Sequence, residues 1–103
     1  MTPEMTKRLR GASLEALDVN HRKQKQRLDL HVLWSLLKKL GYADLAKNDL
    51  ITVLQDLKDR GYVEFDQKRN EWTGEIRVSQ IEIEPKGRDL LERTTNDPAV
   101  QLD

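Results

Sequence analysis

Apolar residues recur with a helical period along much of the chain. Leu33, Leu36, Leu37 and Leu40 stand at i, i+3, i+4 and i+7, one stripe of a helix predicted over 28–40. Leu50, Val53, Leu54 and Leu57 repeat that stripe in a helix predicted over 47–60. A helix over 1–18 rests on Met5, Leu9, Ala12, Ala16 and Leu17, with Thr2 as a cap and Pro3 at a first helical position. Gly11 should weaken its middle by about 1 kcal/mol relative to alanine. Asp29 is a cap candidate for the second helix and Asn48 or Asp49 for the third, while Gly41 and Gly61 are their stops. The polar stretch 19–27 lacks apolar positions at helical spacing and reads as a basic loop.

The period then changes to two. Tyr62-Val63-Glu64-Phe65 alternates as a strand, and 66–74 is polar with a turn-like segment at Gln67-Lys68-Arg69-Asn70. Within 75–84, Ile76 and Val78 share one parity and Ile81 and Ile83 the other, and a bulge or break near Ser79-Gln80 would reconcile them. Together these make a hairpin over 62–84, ended by Pro85 and followed by a short helix over 86–93. Residues 94–103 lack a pattern and read as a mobile tail. The reading is one domain over 1–93, mainly α with a small antiparallel β-hairpin. A hairpin is marginal alone and must cover a core, here with Val63, Phe65, Ile81 and Ile83.

Two segments carry a resemblance. Leu54-x-x-Leu57-x-x-Arg60-Gly61-Tyr62-Val63 resembles the end of a winged-helix recognition helix running into the first wing strand. Ile81-Glu82-Ile83-Glu84-Pro85-Lys86-Gly87-Arg88-Asp89-Leu90-Leu91 resembles the second wing strand and following helix of many bacterial winged-helix regulators. In those a Leu-Thr-x-x-Gly-x-x-Leu-Leu pattern is common, and here Ile83-Glu84 replaces Leu-Thr. The resemblance implies a winged helix, a three-helix core plus wing, and DNA binding in transcription regulation. The chain is also similar to small winged-helix proteins of Mu-like prophages, including the Asp97-Pro98 tail, which implies a phage-type accessory factor of bacterial origin.

Composition narrows the classes. With 103 residues, 37% hydrophobic and 35% charged, the chain can bury one modest core and has no room for a deep substrate cavity. No apolar run approaches a membrane span, and the basic start lacks the apolar stretch of a secretory signal. The absence of cysteine removes disulfides and thiolate metal sites and fits a cytoplasmic protein. Net charge is zero, yet residues 1–41 carry nine Lys/Arg against four acids, a net of +5, and residues 42–103 carry nine against fourteen, a net of −5. The positive half can attract nucleic acid or an acidic partner, and the negative half can pair with another subunit.

In the winged-helix family the third helix enters the major groove and the wing touches backbone or minor groove. Carried onto this chain, Asn48, Thr52, Gln55 and Asp59 lie opposite the apolar stripe. Asparagine and glutamine can pair with adenine, and threonine can meet a base or a phosphate. Lys47 and Lys58 flank that face, and the wing offers Lys68, Arg69 and Asn70. The plain alternative is a solvated helix face, for the helix is neutral and Asp59 points the wrong charge outward. Arg22, Lys23, Lys25 and Arg27, with Lys7, Arg8 and Arg10 upstream, form the densest basic cluster. Beside the third helix they would supply phosphate contacts; elsewhere they are a solvated run or a contact for the acidic half of another copy. Trp34 reads as a core-edge residue, and Trp72 as packing on Tyr62 or Phe65 rather than touching nucleic acid or protein.

Nothing nominates chemistry. His21 and His31 stand ten apart without a metal-binding spacing. None of Ser13, Ser35 and Ser79 sits in a nucleophile elbow, and the glycines form no phosphate-cradling loop. The sequence therefore reads as a binding module without catalytic residue, metal or cofactor. Double-stranded DNA and a protein partner both stay open, as do monomer and homodimer, with Met5 and Leu9 available for a dimer seam.

Overall fold

The computed structural model describes residues 2–24 and 27–102. In chain order the elements are α1 (Pro3–Gln24), α2 (Leu30–Lys39), α3 (Lys47–Asp59), β1 (Val63–Arg69), β2 (Ile76–Ile83) and α4 (Pro85–Leu91). Helix α1 opens under a side-chain cap, the Met5 amide donating to Thr2 Oγ1 at 3.2 Å. It buries Leu9, Leu14 and Leu17. It then runs past Asp18 to Gln24, so 19–24 are helix where a loop was expected. No glycine or proline interrupts that stretch. The buried Asp18 carboxylate meets Arg22 one turn later at 3.1 Å and Arg88 of α4 at 3.8 Å, which anchors the polar extension. Lys25 and Gln26 of the expected loop lie outside the described residues.

Helix α2 starts at Leu30, not Leu28. Leu28 exchanges backbone hydrogen bonds of 3.0 and 2.8 Å with Ile81, a one-residue addition to the edge of β2. Asp29 occupies the cap position without a side-chain cap bond, and Gly41, at φ 115°, ends the turn after α2 in the left-handed region. Helix α3 starts at Lys47 behind Ala46, and its stripe of Leu50, Val53, Leu54 and Leu57 is buried together with Ile51.

The hairpin packs Val63, Phe65, Val78, Ile81 and Ile83 against the helices. Its register runs Val63↔Ile83, Glu64↔Glu82, then slips to Asp66↔Ser79 and continues to Arg69↔Ile76. Phe65 thus faces two residues, Gln80 and Ile81, and Gln80 sits at φ 56°. Of the bulge or break that the parity change allowed, this is the bulge, and it keeps both apolar pairs on the core side. Strand β1 extends through Gln67, Lys68 and Arg69, which were expected to form a turn. Exposed polar side chains hid the strand period there. The turn lies beyond, where the Asn70 carboxamide accepts from the amides of Trp72 and Thr73.

The expected mobile tail is docked. Val100 is buried, the Gln101 amide donates to the Lys7 carbonyl at 3.1 Å, and an Arg10 guanidinium nitrogen donates to the Ala99 carbonyl at 2.9 Å. Residues 97–102 form a strap. It crosses α1 at Gly11, where a Cβ would collide with the Gln101 carbonyl oxygen. The glycine that looked like a weak point in the helix is the place where backbone passes against backbone. Beneath the strap, Asp56 binds Arg10 and Arg60, each at 2.9 Å, and Arg60 also reaches Asp97 at 3.3 Å. The Tyr62 hydroxyl donates to Asp97 at 2.5 Å. Burial, with Asp97 beside it, pushes the Tyr62 hydroxyl up to about 12. The same hydrogen bond holds the Asp97 carboxyl below the usual carboxylate range.

Candidate nucleic-acid interface

An open groove of about 1120 Å³ lies between the first turns of α2 and α3 and the hairpin. Helix α2 contributes His31, α3 contributes Lys47, Asn48 and Ile51, β1 contributes Asp66 and Lys68, and β2 contributes Arg77 and Gln80. Asn48 and Thr52 are exposed on the outward face of α3, as is Asp59. The Thr52 hydroxyl donates to the Asn48 carbonyl within the helix at 3.1 Å. Gln55 is half-buried and its carboxamide bonds Gln67 of β1 at 3.0 Å, so it ties helix to hairpin as well as facing outward.

The cations divide sharply. Lys58 donates to Glu64 at 2.9 Å and to the Phe65 carbonyl at 3.2 Å, and its ammonium stands over the Phe65 ring at 4.7 Å. That ammonium holds the Glu64 carboxyl below its ordinary value. Lys58 is therefore committed to the hairpin base and unavailable to a phosphate without breaking those contacts. Arg22 is committed to Asp18 and reaches Glu92 at 3.9 Å, while Arg27 bonds Glu82 at 3.1 Å. Two members of the densest basic cluster thus already have carboxylates. The Lys23 side chain and Lys25 lie outside what is described.

Lys47, Lys68, Arg69 and Arg77 have no ion-pair partner among the described residues. Lys47 does lean on the Trp34 ring at 4.9 Å, which Lys38 approaches at 4.3 Å, and the Trp34 indole N–H is fixed on the Leu45 carbonyl at 2.7 Å. Trp34 is thus the core-edge residue expected. Lys68 and Arg77 are direct cross-strand partners. Like charges set opposite one another cost stability, and here both line the groove. Three carboxylates, Asp29, Asp66 and Glu75, line it too. Asn70 spends its carboxamide on the turn. Trp72, expected to pack on Tyr62 or Phe65, is instead 95% exposed at the hairpin tip. With β1 extended to Arg69, the tip projects too far for the indole to reach back to the hairpin base.

Sequence reasoning missed His31, Arg77 and Gln80 as groove residues. Arg77 could have been found from pairing with Lys68, but only with the turn placed at 70–75 instead of 67–70.

No family model matches the sequence, and no curated protein matches it. Among solved structures, a PadR-like transcriptional regulator from Bacillus cereus strain ATCC 14579 is similar, with a TM-score of 0.59 over 82% of this chain and 75% of that one. The fold is a winged helix. At 20% identity the likeness is one of fold. In winged-helix terms α3 occupies the recognition-helix position, β1 and β2 form the wing, and the groove is the space between them. No described helix is long and apolar enough to cross a membrane.

Proposed function

We propose that this winged helix binds double-stranded DNA and acts as a transcriptional regulator. The observation that supports it best is the groove between recognition helix and wing, where Lys47, Lys68 and Arg77 lack carboxylate partners among the described residues and Asn48 is exposed beside them. Phosphates would meet Lys47, Lys68, Arg69 and Arg77. Asn48, Thr52 and Gln55 would meet base edges, with Gln55 exchanging its bond to Gln67 for a base. Asn70 shapes the wing turn, and Lys58, Arg22 and Arg27 contribute only if their ion pairs open.

Fluorescence anisotropy on random duplex DNA, over roughly 20 to 200 mM salt, tests this reading, because phosphate contacts make affinity fall steeply with salt. Absence of binding at the lowest salt contradicts it. A regulator must also select a site. Asn48→Ala with Gln55→Ala should erase preference for a selected sequence while sparing random-duplex binding. A chain with no selected sequence fits the phage-type accessory role instead.

The second reading is a protein-interaction module. It draws on the three carboxylates that match the three groove cations and on exposed Asp49 and Asp59 of α3. A partner retained in low salt and lost in high salt, with no DNA binding, favours it.

A further inference from the structure

The groove between α3 and the hairpin is electrically balanced. Lys47, Lys68 and Arg77 line it against the carboxylates of Asp29, Asp66 and Glu75, three charges of each sign. A polyanion therefore meets little net attraction there, because the carboxylates repel what the cations draw in. One lining residue can tip the balance. His31, in the first turn of α2, lines the groove and is exposed, and an imidazole is the side chain that changes charge between pH 5 and 8. The other histidine of the chain, His21, is half-buried on α1 and does not line the groove.

The His31 ring is held without being committed. It packs on Trp34 with centroids 5.7 Å apart and planes at 49°, and that indole is fixed on the Leu45 carbonyl. Among the described residues the imidazole has neither an ion pair nor a hydrogen bond. The charged groups around it are Asp29 before α2, Lys38 on α2, Lys47 at the start of α3, Asp66 and Lys68 on β1, Glu75 before β2 and Arg77 on β2. Lys38 and Lys47 already stand over the Trp34 ring at 4.3 and 4.9 Å, so a proton on His31 adds a third positive charge around that indole.

We infer that His31 is a pH switch for the groove: a proton on its imidazole turns a neutral groove into a cationic one and tightens its hold on duplex DNA. A phosphate set among three like charges relieves their mutual repulsion, so proton and DNA each favour the binding of the other. DNA binding then takes up a proton from solvent. This inference rests on the DNA-binding reading above and adds its regulation.

The test is anisotropy of the full chain on random duplex DNA at one low salt, at about pH 5.5 and about pH 8, a span over which imidazoles titrate while carboxylates and lysines do not. Binding is expected to be roughly tenfold tighter at the lower pH, and the His31 imidazole, followed by NMR beside His21, should take its proton about 1 pH unit higher with DNA bound, the same tenfold by linkage. His31→Gln should bind at both pH values as the wild type does at the higher one, and His31→Lys as the wild type does at the lower one. His21→Gln should keep the wild-type response. Wild-type binding that is equal at the two pH values, or a pH response that persists in His31→Gln, overturns the switch and leaves the DNA reading intact. Absence of wild-type binding even at the lower pH overturns both.

Discussion

Around the strap, Arg10 and Arg60 converge on Asp56, Arg60 reaches on to Asp97, and Tyr62 closes the set with a 2.5 Å hydrogen bond. Along the wing, Lys68 faces Arg77 across the hairpin with no carboxylate at ion-pair distance among the described residues. The first cluster spends its charge on holding the chain together, and the second holds it in reserve at a cost in stability. The difference explains why the charge asymmetry of the sequence misleads. The basic N-terminal part meets the acidic remainder inside the molecule, through Arg10–Asp56, Arg22–Glu92 and Arg27–Glu82. Lys68, Arg69 and Arg77, which have no ion-pair partner among the described residues, lie instead on the wing, in the acidic part of the sequence.

The sharpest way to break the strap side is Gly11→Ala. In an ordinary helix interior that change stabilises by about 1 kcal/mol. Here the added carbon collides with the Gln101 carbonyl, so a loss of about 1–3 kcal/mol is expected from overpacking, with the C-terminus opened to protease. A higher melting temperature would mean that the strap does not cross there. Asp97→Asn comes next. It removes the charge shared by Tyr62 and Arg60 and should cost about 1–2 kcal/mol in thermal unfolding, without changing DNA affinity.

The same side should respond to pH at both extremes. The Tyr62 pKa is raised, from 10.0 to about 12, so its contribution is complete below pH 10 and is lost as pH climbs toward 12. The Asp97 pKa is lowered from 3.8, so its contribution is present above that value and is lost as pH falls below it through the folded-state value. Tyrosinate absorbance, with Tyr62→Phe as the reference, should show the component lost in that variant titrating late. That component titrating near pH 10 would contradict the buried hydrogen bond.

The wing side is sharpened by smaller effects of opposite sign. Lys68→Ala should raise stability by about 0.2–1 kcal/mol, because it relieves the cross-strand repulsion, while weakening DNA binding. Destabilisation would mean that Lys68 holds the hairpin. Arg27→Ala should do least, under about 1 kcal/mol in stability, since its pair with Glu82 is solvent-exposed, and DNA affinity should not move.

Much of the fold was legible because burial dictates it. The stripes of α2 and α3 and the parity break in β2 are demands of one core, and each is found where the apolar pattern puts it. What escaped is held by polar or backbone contacts. Residues 19–24 stay helical around Asp18, β1 continues through exposed side chains, and the strap docks on carbonyls, a guanidinium and a tyrosine hydroxyl. None of these leaves a period in the sequence. The outward face of α3 was legible as a surface, but the state of each charge on it was not. Lys58 and Lys47 look equivalent in the sequence, and only the packing of β1 shows that one is tied to Glu64.

The central claim is that Lys68 and Arg77, in the groove and wing, are open to phosphate and that Arg22 and Arg27 are not. The salt dependence of duplex binding measures this directly, since each phosphate contact contributes about 0.9 to the slope of log affinity against log salt. Lys68→Ala with Arg77→Ala should lower the slope by about 2, and Arg22→Ala with Arg27→Ala should leave it at the wild-type value. The reverse pattern, with the slope falling only when Arg22 and Arg27 are removed, would contradict the claim.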